Sequence, residues 1–334
     1  MALENTGITM GMLINGELAN SWLDKEIEEG EFKRMESFFR HWITPDGQAG
    51  PTGNAGFKAE ADRYHLYVSE ACPWAHRTVI FRKLKKLENI IDVSYVEAEM
   101  LDDGWTFSES GKYQDNLYGF RYAYELYQKA DSNFTGQITV PILWDKKTNT
   151  IVNNESSEII RMLNTAFNEF TDNKTDYYPE ELQEKIDAIN QPIYDNINNG
   201  VYRCGFASTQ EAYEKAFRRL FKQLDETEEL LSEQRYLLGE QITEADWRLF
   251  TTLVRFDAVY VGHFKCNLKR ISDYPNLSNY LLELYQIPGI AETVDIEYIK
   301  RHYYYSHTSI NPTQIIPQGP QLDFTGSHDR NRSY

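Results

Sequence analysis

The sequence is poor in cysteine: three residues, Cys72, Cys204 and Cys266, in a chain of 334. An odd and sparse set excludes a disulfide scaffold and points to a reducing compartment. No Cys/His spacing resembles a zinc site, so no metal is expected. Long hydrophobic runs are also missing, since none approaches the ~20 apolar residues that a membrane span needs. The start, MALENTGITMGMLINGELANSW, lacks both a basic leader and a continuous apolar core, so no secretory signal is expected. Basic charge is scarce as well. The formal net charge is −17, and a polyanion would be repelled. The only basic run, Arg82-Lys83-Leu84-Lys85-Lys86, reads as a solvated helix face, so neither nucleic acid nor membrane is an expected partner.

What is present suits an ordinary globular chain. Hydrophobic residues make up 41 %, and the length is enough for two domains with separate cores. Residues 1–61, rich in Gly, Asn and short aromatic clusters, read as an irregular arm. Arg63–Val68 reads as a strand, Pro73–Leu87 as a helix and Ile90–Val96 as a second strand, which together make a βαβ unit with a parallel pair. An aromatic insertion at about 101–136 follows, partly helical over Tyr122–Ala130. Ile138–Asp145 and Thr150–Val152 resemble a hairpin, and Glu155–Glu158 opens a further helix. The order βαβ–ββα is the thioredoxin arrangement, assigned to 62–170. From 171 to 300 the signals are helical only, over 180–198, 209–233, 244–260 and 276–286. The best-marked helix start is Thr243, a capping residue with Asp246 three positions on. The tail, 301–334, carries Pro312, Pro317 and Pro320 and reads as irregular.

The chemistry concentrates in Ser69-Glu70-Ala71-Cys72-Pro73-Trp74-Ala75-His76-Arg77. Proline suits the first helical position, where its missing N–H costs nothing. Cys72 then stands at a helix N-terminus, where unpaired N–H groups and the positive dipole end favour a thiolate. An ordinary thiol, with a pKa of about 8.5, is only ~3 % ionised at pH 7. A dithiol redox motif would need a second cysteine where Ala75 stands, so a mixed disulfide on Cys72 has to be resolved by an external thiol. A buried, structural role remains the alternative for any one free cysteine, and it is the expectation for Cys204 and Cys266. Val140-Pro141 fits the cis-proline that precedes a strand in thioredoxin-like folds, or a plain turn. Glu155-Ser156 suits recognition of a carboxylate and an amine, or simple capping.

With these residues in view, the sequence resembles the Xi-class glutathione transferases, the glutathionyl-hydroquinone reductases. The resemblance runs from about Glu31 to Pro320. It is carried by Gly56-Phe57-Lys58-Ala59-Glu60, Arg63–Ser69, Cys72–Thr78, Thr139–Asp145, Asn154-Glu155-Ser156, Gly200-Val201-Tyr202, Leu253–Tyr260, His302-Tyr303-Tyr304 and Ile310-Asn311-Pro312.

The resemblance implies a thioredoxin-like domain followed by an all-helical one, with the active site between them and the tail contributing to it. It implies a cytoplasmic homodimer that uses glutathione as co-substrate and acts on aromatic hydroquinone conjugates. Cys72 would be the nucleophile and Tyr202 the proton shuttle, while Tyr260 and Tyr303 would hydrogen-bond the Cys72 sulfur. Trp105, Gln137, Ile138, Thr139, Val140, Glu155 and Ser156 would hold glutathione. Gln137 departs from the family pattern, which has an arginine there, so a charge-assisted contact to a glutathione carboxylate becomes a neutral one. A conjugating transferase would use Tyr or Ser rather than a cysteine that is itself glutathionylated. A non-catalytic binding module would not need the cysteine and tyrosines that are present.

Overall fold

The computed structural model describes residues 11–19 and 27–334, and the remainder of the arm lies outside the described residues. Two compact units emerge, one formed mainly by Met35–Thr175 with Tyr305–Gln314, the other mainly by Asp176–Tyr304 with Ile315–Tyr334.

The first unit is built on a four-stranded sheet. Its strands are β1 (Tyr64–Val68), β2 (Asp92–Tyr95), β3 (Ile142–Asp145) and β4 (Thr150–Asn153), in the order β2-β1-β3-β4. β1 and β2 are parallel, with His65 opposite Asp92, whereas β3 runs antiparallel to β1 and to β4. Between β1 and β2 lies helix α1 (Pro73–Leu84). Helix α2 (Tyr124–Ala130) sits in the insertion, and α3 (Ser156–Thr165) follows β4 and packs on α1. β1 is buried along its whole length, as expected for a strand covered on both faces. This is the thioredoxin-like arrangement read from the sequence.

Three long-range features hold this unit together. Arg63 grips Asp145 with two hydrogen bonds, Nε at 2.9 Å and Nη2 at 2.7 Å, beside the pairing of β1 and β3. Asp115, buried in the insertion, accepts the Tyr67 hydroxyl at 3.0 Å and the backbone N–H groups of Leu117, Tyr118 and Phe120. The insertion is therefore tied to β1 by one carboxylate. Thr171 and Asn173 donate to the carbonyls of Lys85 and Leu84, and Lys85 donates to the Thr175 carbonyl at 2.7 Å. These bonds occupy open carbonyls at the C-terminus of α1 and keep the linker in the first unit as far as Thr175.

Residues 1–61, expected to be an irregular arm, carry short strands where they are described. Met12–Ile14 and Glu17–Ala19 form a hairpin across Asn15-Gly16, both with positive φ. Asn-Gly is the residue pair that a tight two-residue hairpin turn favours. A Cβ on Gly16 would lie 2.1 Å from the Ser132 carbonyl oxygen, so the docked turn requires glycine. The hairpin also pairs with Gly136–Gln137, placing Met12 opposite Gln137. Ile27–Glu28 and Glu31–Phe32 pair in the same way around Glu29-Gly30.

The second unit is helical: α4 (Gln183–Ile193), α5 (Gly200–Gly205), α6 (Gln210–Glu233), α7 (Glu244–Arg255), α8 (Pro275–Tyr285) and α9 (Ile296–Ser306). Wide π turns follow α4 at Tyr194–Asn198 and α7 at Phe256–Tyr260. At the start of α7 the Thr243 N–H donates to the Asp246 carboxylate at 2.8 Å, as its capping pattern predicts. The same carboxylate accepts the Leu237 N–H and the Tyr280 hydroxyl, so a local cap also fastens α8.

The tail was expected to be irregular from residue 301, but α9 continues to Ser306. The reason is visible in its burial: Tyr298, Ile299, His302, Tyr303 and Ser306 are all buried, a three- and four-residue spacing that continues one helical face. No helix among the described residues is long and apolar enough to cross a membrane.

Candidate active site

Cys72 is the N-cap of α1, with φ −73° and ψ 116°, and Pro73 opens the helix. Its carbonyl accepts the first intrahelical bond, from the His76 N–H at 2.9 Å. The side chain is partly exposed, and Sγ lies 3.4 Å from the Val140 carbonyl oxygen. The Val140-Pro141 peptide bond is cis. The fold therefore brings together the two signals that the sequence separates by almost seventy positions, a helix-capping thiol and the residue before the cis proline.

Val140 is held in turn by its predecessor. The Tyr127 hydroxyl donates to the Thr139 carbonyl at 2.9 Å and accepts the Thr139 N–H at 3.2 Å. Asn154 Nδ2 donates to the same hydroxyl at 3.2 Å. Ile138 donates its N–H to the Gly11 carbonyl. Trp105 is buried, with its carbonyl accepting the Ala123 N–H. Gln137 is buried at 6 % exposure, and its Nε2 makes no hydrogen bond among the described residues.

Glu155 caps α3. Its carboxylate accepts the Ser157 N–H at 3.0 Å, the Ser157 hydroxyl at 2.8 Å and the Ser37 hydroxyl at 3.1 Å. Burial alone would raise its pKa, but the Ser157 bonds, the Arg77 charge and the Ser37 bond together hold it below the usual carboxylate range. Glu155 is thus an anion at neutral pH. Beside it, Ser156 is buried and accepts from Arg77 Nη1 at 3.4 Å. The Arg77 guanidinium also lies 4.6 Å from the Trp74 ring centroid.

In the helical unit the three singled-out tyrosines form one cluster. The hydroxyl of Tyr303, on α9, lies 2.6 Å from that of Tyr202, on α5, and 3.1 Å from that of Tyr260, which ends the π turn after α7. Their exposures are 1 %, 8 % and 0 %. Burial pushes the phenols of Tyr260 and Tyr303 well above the ordinary tyrosine value, so both stay protonated at neutral pH. The Arg34 guanidinium lies 4.9 Å from the Tyr202 ring centroid.

Sequence reasoning missed the polar residues that hold the site in place. Ser37 and Tyr127 carry no local signal. Asn154 and Arg77 stand inside quoted motifs but had been given no role. Among the described residues no group of three or more His, Cys, Asp or Glu could hold a metal ion.

A capping cysteine on a thioredoxin-like sheet, followed by an all-helical unit, defines a glutathione-transferase architecture. Comparison with known proteins agrees. The model of the glutathione S-transferase N-terminal domain matches residues 71–166, and that of the C-terminal domain matches 210–283. The chain is 56 % identical to glutathionyl-hydroquinone reductase YqjG of Escherichia coli (strain K12), over 96 % of this chain and 98 % of that one. It is 50 % identical to glutathionyl-hydroquinone reductase PcpF of Sphingobium chlorophenolicum, over 95 % and 98 %. The solved glutathione-bound structure of YqjG superposes with a TM-score of 0.88, and a Xi-class glutathione transferase from Natrialba magadii with 0.90 at 48 % identity, covering 96 % of this chain and 97 % of that one. The chain belongs to the glutathione S-transferase family, within the Xi class that contains the glutathionyl-hydroquinone reductases.

Proposed function

We propose that this chain is a glutathione-dependent reductase that removes glutathione from glutathionyl-hydroquinones. The observation that carries the reading is the placement of Cys72: it caps α1 beside the Val140 carbonyl, and Ala75 stands where a resolving cysteine would be. Full-length similarity to two glutathionyl-hydroquinone reductases supports the substrate class. The glutathione-bound structure of YqjG supports glutathione as co-substrate.

An aryl anion is a hopeless leaving group, so the conjugate first tautomerises to a ketone. The Cys72 thiolate then attacks the glutathione sulfur. The carbon–sulfur bond breaks, its electron pair leaves as an enolate, and protonation gives the hydroquinone. A second glutathione thiolate attacks the glutathione sulfur of the mixed disulfide. Glutathione disulfide leaves, and the Cys72 thiolate is regenerated. The ring carbon gains two electrons as its bond to sulfur becomes a bond to hydrogen, and the two sulfurs of the glutathione disulfide lose one each.

In this reading Trp105, Gln137, Ile138, Thr139, Val140, Glu155 and Ser156 hold glutathione. Val140 offers its backbone, and the Glu155 carboxylate takes the ammonium group. Tyr202 moves the proton to or from the ring, and Tyr260 and Tyr303 donate toward the sulfur. Buried, protonated phenols suit donors rather than bases. The working form is proposed to be a cytosolic homodimer.

The test is intact mass after incubation with a glutathionyl-hydroquinone. One glutathione on Cys72, released by further glutathione, is the expected result. Turnover with no adduct on any cysteine, even in rapid quench, would favour a conjugating transferase. Absence of both turnover and adduct would favour a binding module.

A further inference from the structure

Part of the arm reaches the tyrosine cluster. The hairpin Ile27–Phe32 and Arg34 just beyond it belong to the helical unit, although the whole sheet unit separates them from it in sequence. Its seat is the start of α6. The Ser208 N–H donates to the Gly30 carbonyl at 3.1 Å. A Cβ on Gly30 would lie 2.6 Å from the Oγ1 of Thr209, the N-cap of α6, so glycine, with φ 84°, lets the turn close there. Glu31 forms an ion pair with Lys215 farther along the same helix. Phe32 is buried against Tyr202 and Phe206, whose ring centroids lie 6.3 and 5.4 Å from its own.

This seating delivers a charge to Tyr202. The Arg34 Nε donates at 2.9 Å to Oδ1 of Asn199, the buried N-cap of α5. The bond fixes the guanidinium where it lies, 4.9 Å from the Tyr202 ring centroid and 5.5 Å from that of Phe32. Phe206 and Phe264 flank the same tyrosine ring, with centroids 6.2 and 5.4 Å away.

We propose that Arg34 is a positioning residue for proton transfer: anchored by Asn199, its guanidinium stands against the Tyr202 ring and stabilises the charge that this phenol acquires as it gives up its proton. In that step the O–H bond of Tyr202 breaks, the proton passes to the substrate and the electron pair stays on the phenol oxygen. The negative charge spreads into the ring, and a cation beside the ring attracts it more strongly than it attracts the neutral phenol. The phenylalanine rings around the pair cannot solvate either charge, so the attraction is poorly screened. It grows only as the proton leaves, so it acts on kcat rather than on KM. The inference rests on the reading of Tyr202 as the proton shuttle.

The experiment measures kcat and KM of the full-length protein with a glutathionyl-hydroquinone and glutathione. The variants are Arg34→Gln, Arg34→Lys, Asn199→Ala and Tyr202→Phe, with the first and third also combined with Tyr202→Phe. Arg34→Gln is expected to lower kcat about 2- to 30-fold, the rate equivalent of one cation–π contact, with KM for the conjugate nearly unchanged. Arg34→Lys keeps the positive charge and is expected to recover part of the loss. Asn199→Ala leaves Arg34 in place but unanchored, and is expected to cost less than Arg34→Gln. In the Tyr202→Phe background neither Arg34→Gln nor Asn199→Ala is expected to lower kcat further, because no phenol is left to assist. Alkylation of Cys72 is expected at an unchanged rate in Arg34→Gln. Two results overturn the proposal. One is the same fold loss from Arg34→Gln with and without the Tyr202 hydroxyl, which would make Arg34 a part of the packing alone. The other is an unchanged kcat in Arg34→Gln where Tyr202→Phe has lost turnover. Full turnover in Tyr202→Phe by itself would instead remove the shuttle reading, and this inference with it.

Discussion

The phenol oxygens of Tyr202 and Tyr303 lie 2.6 Å apart. The contact joins two residues that sequence comparison had given different tasks, a proton shuttle and a donor to sulfur. Tyr260 extends it, with its hydroxyl 3.1 Å from that of Tyr303. A proton delivered by one phenol can therefore be replaced from another.

The first prediction follows from that cluster. Tyr303→Phe removes the 2.6 Å contact to Tyr202 and the 3.1 Å contact to Tyr260. A neutral hydrogen bond contributes about 0.5–1.5 kcal/mol and one to a charged group about 1.5–3. Tyr303→Phe and Tyr260→Phe are each expected to lose stability and turnover. Tyr202→Phe is expected to lower turnover about 10²–10⁴-fold, the usual range for a general acid or base, without recovery at high pH. Alkylation of Cys72 across a pH series, set beside pH–rate profiles, separates the roles. An alkylation midpoint moved as far by Tyr202→Phe as by the other two would show that the cluster acts as one donor.

Cys72→Ser is expected to abolish reduction, because serine at an N-cap keeps the helix start but cannot form a mixed disulfide. Cys204→Ser and Cys266→Ser, assayed reduced, should keep most of the activity, since neither thiol reaches solvent. Steady-state assays of the three single variants decide this, and full activity in Cys72→Ser would remove the monothiol mechanism.

Gln137 is buried, and its Nε2 makes no hydrogen bond within the described residues. If that group donates to a glutathione carboxylate, Gln137→Ala removes one hydrogen bond to a charged group, worth about 1.5–3 kcal/mol. The expected change is a glutathione KM raised about 10- to 150-fold with kcat nearly unchanged. An unaltered KM would assign Gln137 to strand pairing with Met12 alone.

Acid should loosen both units through buried histidines. Burial lowers His65 to about 4, against opposing pulls from Asp92 and Asp115, and lowers His263 to about 3, with Lys265 and His302 acting the same way. Each is neutral when folded and titrates near 6.5 when unfolded. The stability that they confer is therefore complete above pH 6.5 and is lost as pH falls toward the folded values. At ~1.4 kcal/mol per unit, each costs about 2 kcal/mol by pH 5. Denaturant unfolding between pH 7 and 5 should show the loss, and His65→Asn should flatten it by about one proton's slope. An unchanged slope would mean that His65 is protonated in the folded state.

The sequence by itself determined what depends on near neighbours. Pro73 after Cys72 made a helix start with a thiol at its cap, and Thr243 with Asp246 made another. The strand and helix order of residues 63–167 announced the sheet, because hydrophobic period and capping act over a few positions. The Asn15-Gly16 turn was equally legible and was overlooked, and the buried stripe that carries α9 to Ser306 was hidden by attention to the prolines beyond it. Only the tertiary structure decided which distant residues meet. Tyr127 and Asn154 hold Thr139, Asp115 ties the insertion to Tyr67, and the phenols of Tyr202, Tyr260 and Tyr303 join. No local rule encodes these pairs. Each polar group was buried by the packing of elements far apart in the chain, and a buried polar group must find its hydrogen-bond partner wherever that packing has placed one.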